Sequence, residues 1–256
     1  MGRLLKETPL SEIVATLEVF DKWDVTPEAF TRIRRNPDTF GKEVSAFMNR
    51  GHEMRDRYFL LADAVLGDDV IFPDEIAEAR GLSYSEDQIR HLMDTLPSHD
   101  VLAWLKVNNF CLMPGPPQPM GLLDVRSMEP MLFRPNSGGW YADQDFARDD
   151  KAICEWLAIR KEPVSNSTHQ RWNDQLALLS KDERVPSAGE ISWFITTFYK
   201  VRGVRLFETV YVRTSSVDSD GAHVDLGNFD QNGLHVYAWY DDARNSDVGL
   251  ASARKF

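Results

Sequence analysis

The chain has 256 residues, 43% hydrophobic and 27% charged, which fits a globular protein of one large or two modest domains and excludes disorder throughout. Its net charge of −11 argues against a general nucleic-acid binder or a protein that spreads on anionic membranes, because both need clustered Lys and Arg. The one local exception, Arg32, Arg34, Arg35 and Lys42 with Arg50, reads as a solvated helix face.

The opening stretch, MGRLLKETPLSEI, lacks the apolar core of a signal peptide, and no apolar run approaches the ~18 residues of a membrane span. A cytoplasmic location is expected. Residues 1–98 read as a helical module. Thr8-Pro9 supplies a cap and a first-turn proline, after which Leu10, Ile13, Val14 and Leu17 share one face. The same device recurs at Thr26-Pro27 and Asn36-Pro37, the latter followed by Phe40, Val44, Phe47 and Met48. Ser83 and Glu86 are spaced as a capping box ahead of Ile89, Leu92, Met93 and Leu96.

The boundary is placed near Pro97. Beyond it, Met113-Pro114-Gly115-Pro116-Pro117-Gln118-Pro119 excludes both helix and central strand. The flanking Trp104, Phe110, Leu122 and Leu123 imply an ordered connection packed on the domain. Ile153, Trp156 and Leu157 predict a short helix holding Cys154 as a buried thiol. Ser187 and Glu190 form a second capping box, Ile191, Phe194, Ile195 and Phe198 give a helical face, and Gly203 ends it. Short strands follow over Thr209–Arg213, His223–Leu226 and Leu234–Tyr237, with Gly227 and Gly233 between the last two. Helices followed by short strands and polar loops read as α+β.

Four segments carry a family resemblance: Cys154-Glu155-Trp156-Leu157; Arg184-Val185-Pro186-Ser187-Ala188-Gly189-Glu190-Ile191-Ser192-Trp193; Val212-Arg213-Thr214-Ser215-Ser216; and Gly249-Leu250-Ala251-Ser252-Ala253-Arg254. In this order they resemble the C-type lectin fold, in the branch shared with formylglycine-generating enzymes. The likeness is close over roughly the last 75 residues and loose over 99–180. Within that fold the chain resembles the variable proteins of diversity-generating retroelements, whose 3′ coding end is rewritten at adenines by an error-prone reverse transcriptase.

The resemblance implies a C-type-lectin-like domain over 99–256 with a variable region over about 210–256, displaying substituted residues on a constant scaffold. Val224, Leu226, Phe229, Leu234, Val236, Val248 and Leu250 would be the scaffold. The ligand-binding positions would be Ala222, His223, Asp225, Asn228, Asp230, His235, Tyr237, Trp239, Tyr240, Ala243, Asn245, Ser246 and Asp247, facing outward. Strand alternation allows such a division, and Tyr and Trp give large contact area with few rotatable bonds. The expected ligand is a protein, with the N-terminal helices free to dock a second partner or an oligomer mate.

No catalytic residue, metal or cofactor is expected. His223, His235, Ser215 and Ser216 lack a nucleophile-elbow context, and no cysteine follows Cys154 to supply formylglycine chemistry. Asp218-Ser219-Asp220-Gly221 opens like a calcium loop but lacks the closing Glu, although Asp241-Asp242 adds carboxylates. His52, His91, His99 and His169 have no ligand spacing, and Cys111 and Cys154 form no CxxC motif. The rival expectations are a divergent sulfatase-modifying-factor-type enzyme, which would need a polar pocket with a reactive Cys or metal, and a nucleic-acid-associated protein using the Arg32–Arg50 stretch.

Overall fold

The computed structural model describes residues 54–134 and 139–256, and Arg57–Phe256 falls into one compact unit. The helices expected after Pro9, Pro27 and Pro37, the basic positions from Arg32 to Arg50, and His52 lie outside the described residues. Among the described residues the elements run α1 (Met54–Leu66), α2 (Pro73–Arg80), α3 (Glu86–Asp94), α4 (His99–Val107), β1 (Phe110–Pro114), α5 (Leu122–Met128), α6 (Phe146–Asp149) and β2 (Trp156–Arg160). They continue with α7 (Trp172–Leu176), β3 (Glu183–Arg184), α8 (Ala188–Arg202), β4 (Tyr211–Val217), β5 (His223–Asp230), β6 (Gly233–Trp239), β7 (Val248–Leu250) and β8 (Ala253–Arg254). The described residues form a mixed α+β architecture with two four-stranded sheets, ordered β1-β2-β8-β3 and β6-β5-β4-β7. The pairs are antiparallel except β4 with β7, which is parallel.

The first sheet is buried on both faces. Phe110, Leu112, Trp156 and Ala158 pack with Phe59, Leu66, Leu92, Leu102 and Leu105 from α1, α3 and α4. The alternate residues Cys111, Met113, Leu157 and Ile159 join the larger core built around α8. A strand apolar on both sides reads as a continuous run, without the alternation that marks a half-buried strand. That is why the helix expected around Cys154 is instead a bend leading into β2. Cys154 is only half-buried, and Ile153 is exposed.

The proline-rich connection is ordered, as its flanks imply. Residues 114–117 are buried, the Tyr84 hydroxyl donates to Gly115 O at 2.9 Å, and the Trp193 indole donates to Pro114 O at 3.0 Å. The expected capping box of α3 moves two residues along: Ser85 accepts from Gln88 N at 3.2 Å, and the Gln88 side chain accepts from Ser85 N at 2.9 Å. Both serines fit the required spacing. Tyr84 is fixed by its bond to Gly115, and Gln88 also donates to Pro117 O, so tertiary contacts accompany the second choice.

α8 is the element on which the second sheet rests. Ser187 Oγ accepts from Glu190 N at 3.2 Å, Glu190 returns the bond to Ser187 N at 2.8 Å, and Arg184 grips the same carboxylate at 2.8 and 2.6 Å. Gly203 closes the helix at φ 70°, donating to Tyr199 O. Ile191, Trp193, Phe194 and Ile195 are fully buried, so the helix is enclosed rather than amphipathic. Its core includes Val212, Val224, Leu226, Leu234 and Val236 from β4, β5 and β6.

Candidate ligand-binding surface

β5 and β6 form a hairpin across Gln231 and Asn232, so their side chains alternate between two faces. The inward set (Val224, Leu226, Leu234 and Val236) is fully buried against the α8 core. On the opposite face the register sets His223 across from Trp239, Asp225 across from Tyr237, and Gly227 across from His235. β4 extends the same rows, with Arg213 opposite Asp225 and Tyr211 opposite Gly227. Gly227 has φ 151°, and a Cβ there would stand 2.1 Å from Val210 O, so this close strand approach requires glycine.

The outer face is polar and aromatic, with a network at each side. Tyr211 OH and His235 Nδ1 share a hydrogen bond at 2.5 Å, and burial lowers the pKa of His235. His223 Nδ1 meets Asp241 Oδ1 at 2.6 Å, and its ring stacks on Trp172 with centroids 3.6 Å apart. Arg213 is fully buried: Nη1 donates to Gln175 Oε1 at 3.0 Å, and Nη2 donates to Tyr240 O and Ala243 O at 3.0 and 3.2 Å. The segment 240–247 is further fixed by Trp172 N to Asp241 O and by His169 N to Asn245 O. Asp225 lies centrally among these groups. It is 1% exposed, and neither carboxylate oxygen has a hydrogen bond. Burial pushes its carboxyl up to about 7, with Arg213 opposing that rise.

Apart from Ala222, which precedes β5, the expected site residues fall into three groups. His223, Asp225, His235, Tyr237 and Trp239 share the outer face. Tyr240, Ala243, Asn245, Ser246 and Asp247 lie on the following loop, where the Asn245 side chain accepts from Asp247 N at 2.8 Å. Asn228 and Asp230 are at the hairpin end, both bonded to Arg134 Nη2, and the Asn232 backbone N–H is the chief cause of a lowered Asp230 pKa.

Tyr237 and Tyr240 are 48% and 62% exposed, and Ser246 and Asp247 are also exposed. His223, Asn228, Asp230, His235, Trp239, Ala243 and Asn245 are half-buried. Ala222 and Asp225 depart from the outward exposure expected of them. Ala222 is drawn in by its N–H bond to Asp218 Oδ1, and Asp225 is enclosed within its rows of strand neighbours. The scaffold residues Val224, Leu226, Phe229, Leu234, Val236, Val248 and Leu250 are all buried, as the alternation implies.

Several groups weighed for chemistry have structural partners. Ser216 Oγ accepts from Ala188 N at 2.9 Å and so helps cap α8. Asp218 closes its own turn by accepting from Asp220 N and Ala222 N. Burial pushes the Cys154 thiol up to about 11 and Cys111 further, which disfavours the reactive thiolate at either position. Among the described residues no group of three or more His, Cys, Asp or Glu is placed to hold a metal, and no helix is long and apolar enough to cross a membrane.

Sequence reasoning missed Tyr211, Arg213, Trp172 and Gln175 as parts of this surface. The parity of Tyr211 and Arg213 against buried Val212 was a usable signal, whereas nothing local points from Trp172 to His223. Comparison with family models, with characterised proteins and with solved structures returned no match to the chain.

Proposed function

We propose that the protein is a non-enzymatic ligand-binding protein, a C-type-lectin-like variable protein of a diversity-generating retroelement. It offers the outer face of β4–β6 and the 240–247 loop to a protein ligand. The observation that carries this reading is the separation between the two faces of β5 and β6. Every proposed scaffold residue is buried, while Tyr237, Trp239, His223 and His235 lie on the far side of the sheet and Tyr240 follows on the loop. Substitution on that side leaves the α8 core intact. Aromatic anchors with adaptable polar neighbours suit a surface that must meet different partners. The C-type-lectin-like assignment is supported by the order of the family-like segments, and by β8 returning beside β2 after the proposed variable strands.

The test is a displayed library randomised at His223, His235, Tyr237, Trp239, Tyr240, Ala243, Ser246 and Asp247, beside a control library randomised at Val224, Leu226, Leu234 and Val236. Most members of the first library should remain protease-resistant and should yield binders to unrelated target proteins. The control should lose resistance, because emptying one such core site costs ~2–5 kcal/mol. Equal loss of folding in both libraries would refute the display reading.

A further inference from the structure

The outer face contains a charge-bearing group that no described residue hydrogen-bonds. Both oxygens of Asp225 are unbonded, although the residue is 1% exposed. Its cross-strand neighbours are Arg213 on β4 and Tyr237 on β6. Arg213 acts on it through charge but gives it no hydrogen bond: both Nη atoms are committed to Gln175, Tyr240 and Ala243, and its buried Nε also lacks an acceptor. One register step away, the buried indole Nε1 of Trp239 has no acceptor either. Buried polar groups in native proteins are almost always paired, and an unpaired carboxylate is among the costliest exceptions. Each such exception calls for an explanation, and a buried titratable group with a strongly shifted pKa marks a candidate functional site.

We propose that Asp225 is the anchor for a cationic side chain of the bound partner, a lysine ammonium or arginine guanidinium lodged beside the Tyr237 and Trp239 rings. This deepens the display reading of the same face and rests on it. Aromatic faces attract a cation that has left water, and the carboxylate supplies its counter-charge and acceptors. The Trp239 N–H is left to donate to a carbonyl, which a peptide carries next to its basic side chain. Entry requires rotation of Tyr237, which stands directly across from Asp225 and is 48% exposed. The chain's net charge of −11 favours approach of a basic partner.

Because the carboxyl titrates near 7, cation binding competes with a proton, and affinity falls as pH drops below that value. The other charged and titratable groups around it are Arg213 and Tyr211 on β4, His223 on β5, and His235 and Tyr237 on β6. Asp241 meets His223, and Arg134 meets Asp230 at the sheet end.

The experiment titrates the full-length protein with N-acetyl-arginine methylamide and N-acetyl-lysine methylamide, using N-acetyl-citrulline methylamide as the uncharged analogue. Amide and indole NMR signals report binding. Both cations should shift the signals of Asp225, Tyr237 and Trp239, and citrulline should bind at least about tenfold more weakly, as one lost charge-assisted contact implies. Affinity for the cations should fall about fivefold on going from about pH 7 to about pH 6, because the ionised fraction drops from about one half to about one eleventh. Asp225→Asn should abolish the preference over citrulline. Equal binding of citrulline, an unchanged preference in Asp225→Asn, or no perturbation by either cation overturns the inference. If Asp225→Asn does not fold, the citrulline comparison and pH profile of the unaltered protein decide alone. A randomised library that folds and binds, beside an unaltered protein indifferent to cations, would refute this inference and leave the display reading standing.

Discussion

Asp225 makes a stability claim as well as a binding one. Its carboxyl holds a proton up to about pH 7 in the folded protein, against an ordinary value of 3.8. Folding therefore takes up a proton between those limits. The stability contributed by the protonated group is fully present below 3.8 and is lost as pH rises through about 7. Replacing Asp225 with Asn removes the titration, so the variant should be more stable than the unaltered protein at pH 8, by on the order of 1–4 kcal/mol. The difference should close toward pH 4, as read by denaturant melts across the range. A gap independent of pH would show that the buried group does not titrate as described. The sequence placed Asp225 on the correct face through its parity with Val224 and Leu226. Its burial was not legible, because that depends on strand register with Arg213 and Tyr237, and on segment 240–247 being tied to residues around Trp172.

Elements bounded by local signals were the readable ones. α8 has its Ser187–Glu190 box and Gly203 stop written in adjacent letters, and both function as expected. Ser187→Ala should cost ~1 kcal/mol in a urea melt, since Ala188 N keeps Ser216 as acceptor while Glu190 N loses its own. β2 was misread because its two faces meet two different hydrophobic clusters, leaving no period to detect. Gly227 was expected as a separator between strands, yet it lies within β5. Gly227→Ala would force a methyl to 2.1 Å from Val210 O at φ 151°. The same melts should show a loss of more than ~2 kcal/mol, since both strain and collision oppose the new side chain. A loss comparable to that of Ser187→Ala would mean that β4 and β5 part easily.

At the scale of the molecule, the α+β class was legible from the order of helical and strand-like segments, but the sheet orders were not. β8 pairs with β2 through Ile159 and Ala253 and with β3 through Arg184 and Ala253, a meeting of segments distant in sequence. Hydrophobic periodicity carries no information about which strand neighbours which. Deleting residues 253–256 should leave β3 without its partner and expose one edge of β2. The shortened protein should lose its single sharp thermal transition and become protease-sensitive, with Lys255 N no longer bonded to Asp182 O. Retention of a sharp transition near the original temperature would show that β8 is dispensable.

That position of β8 bears on how errors in the preceding codons are tolerated. The strands proposed to vary are translated before it, whereas the sheet it completes is the other one. A frameshift or stop codon arising within 210–250 would remove Ala253 and Arg254 and leave β2 and β3 unjoined. A substitution that keeps the reading frame spares them. The ribosome must therefore pass in frame through the whole stretch proposed to vary before the first sheet can close, and truncated products would be marked for proteolysis by their own unfinished core.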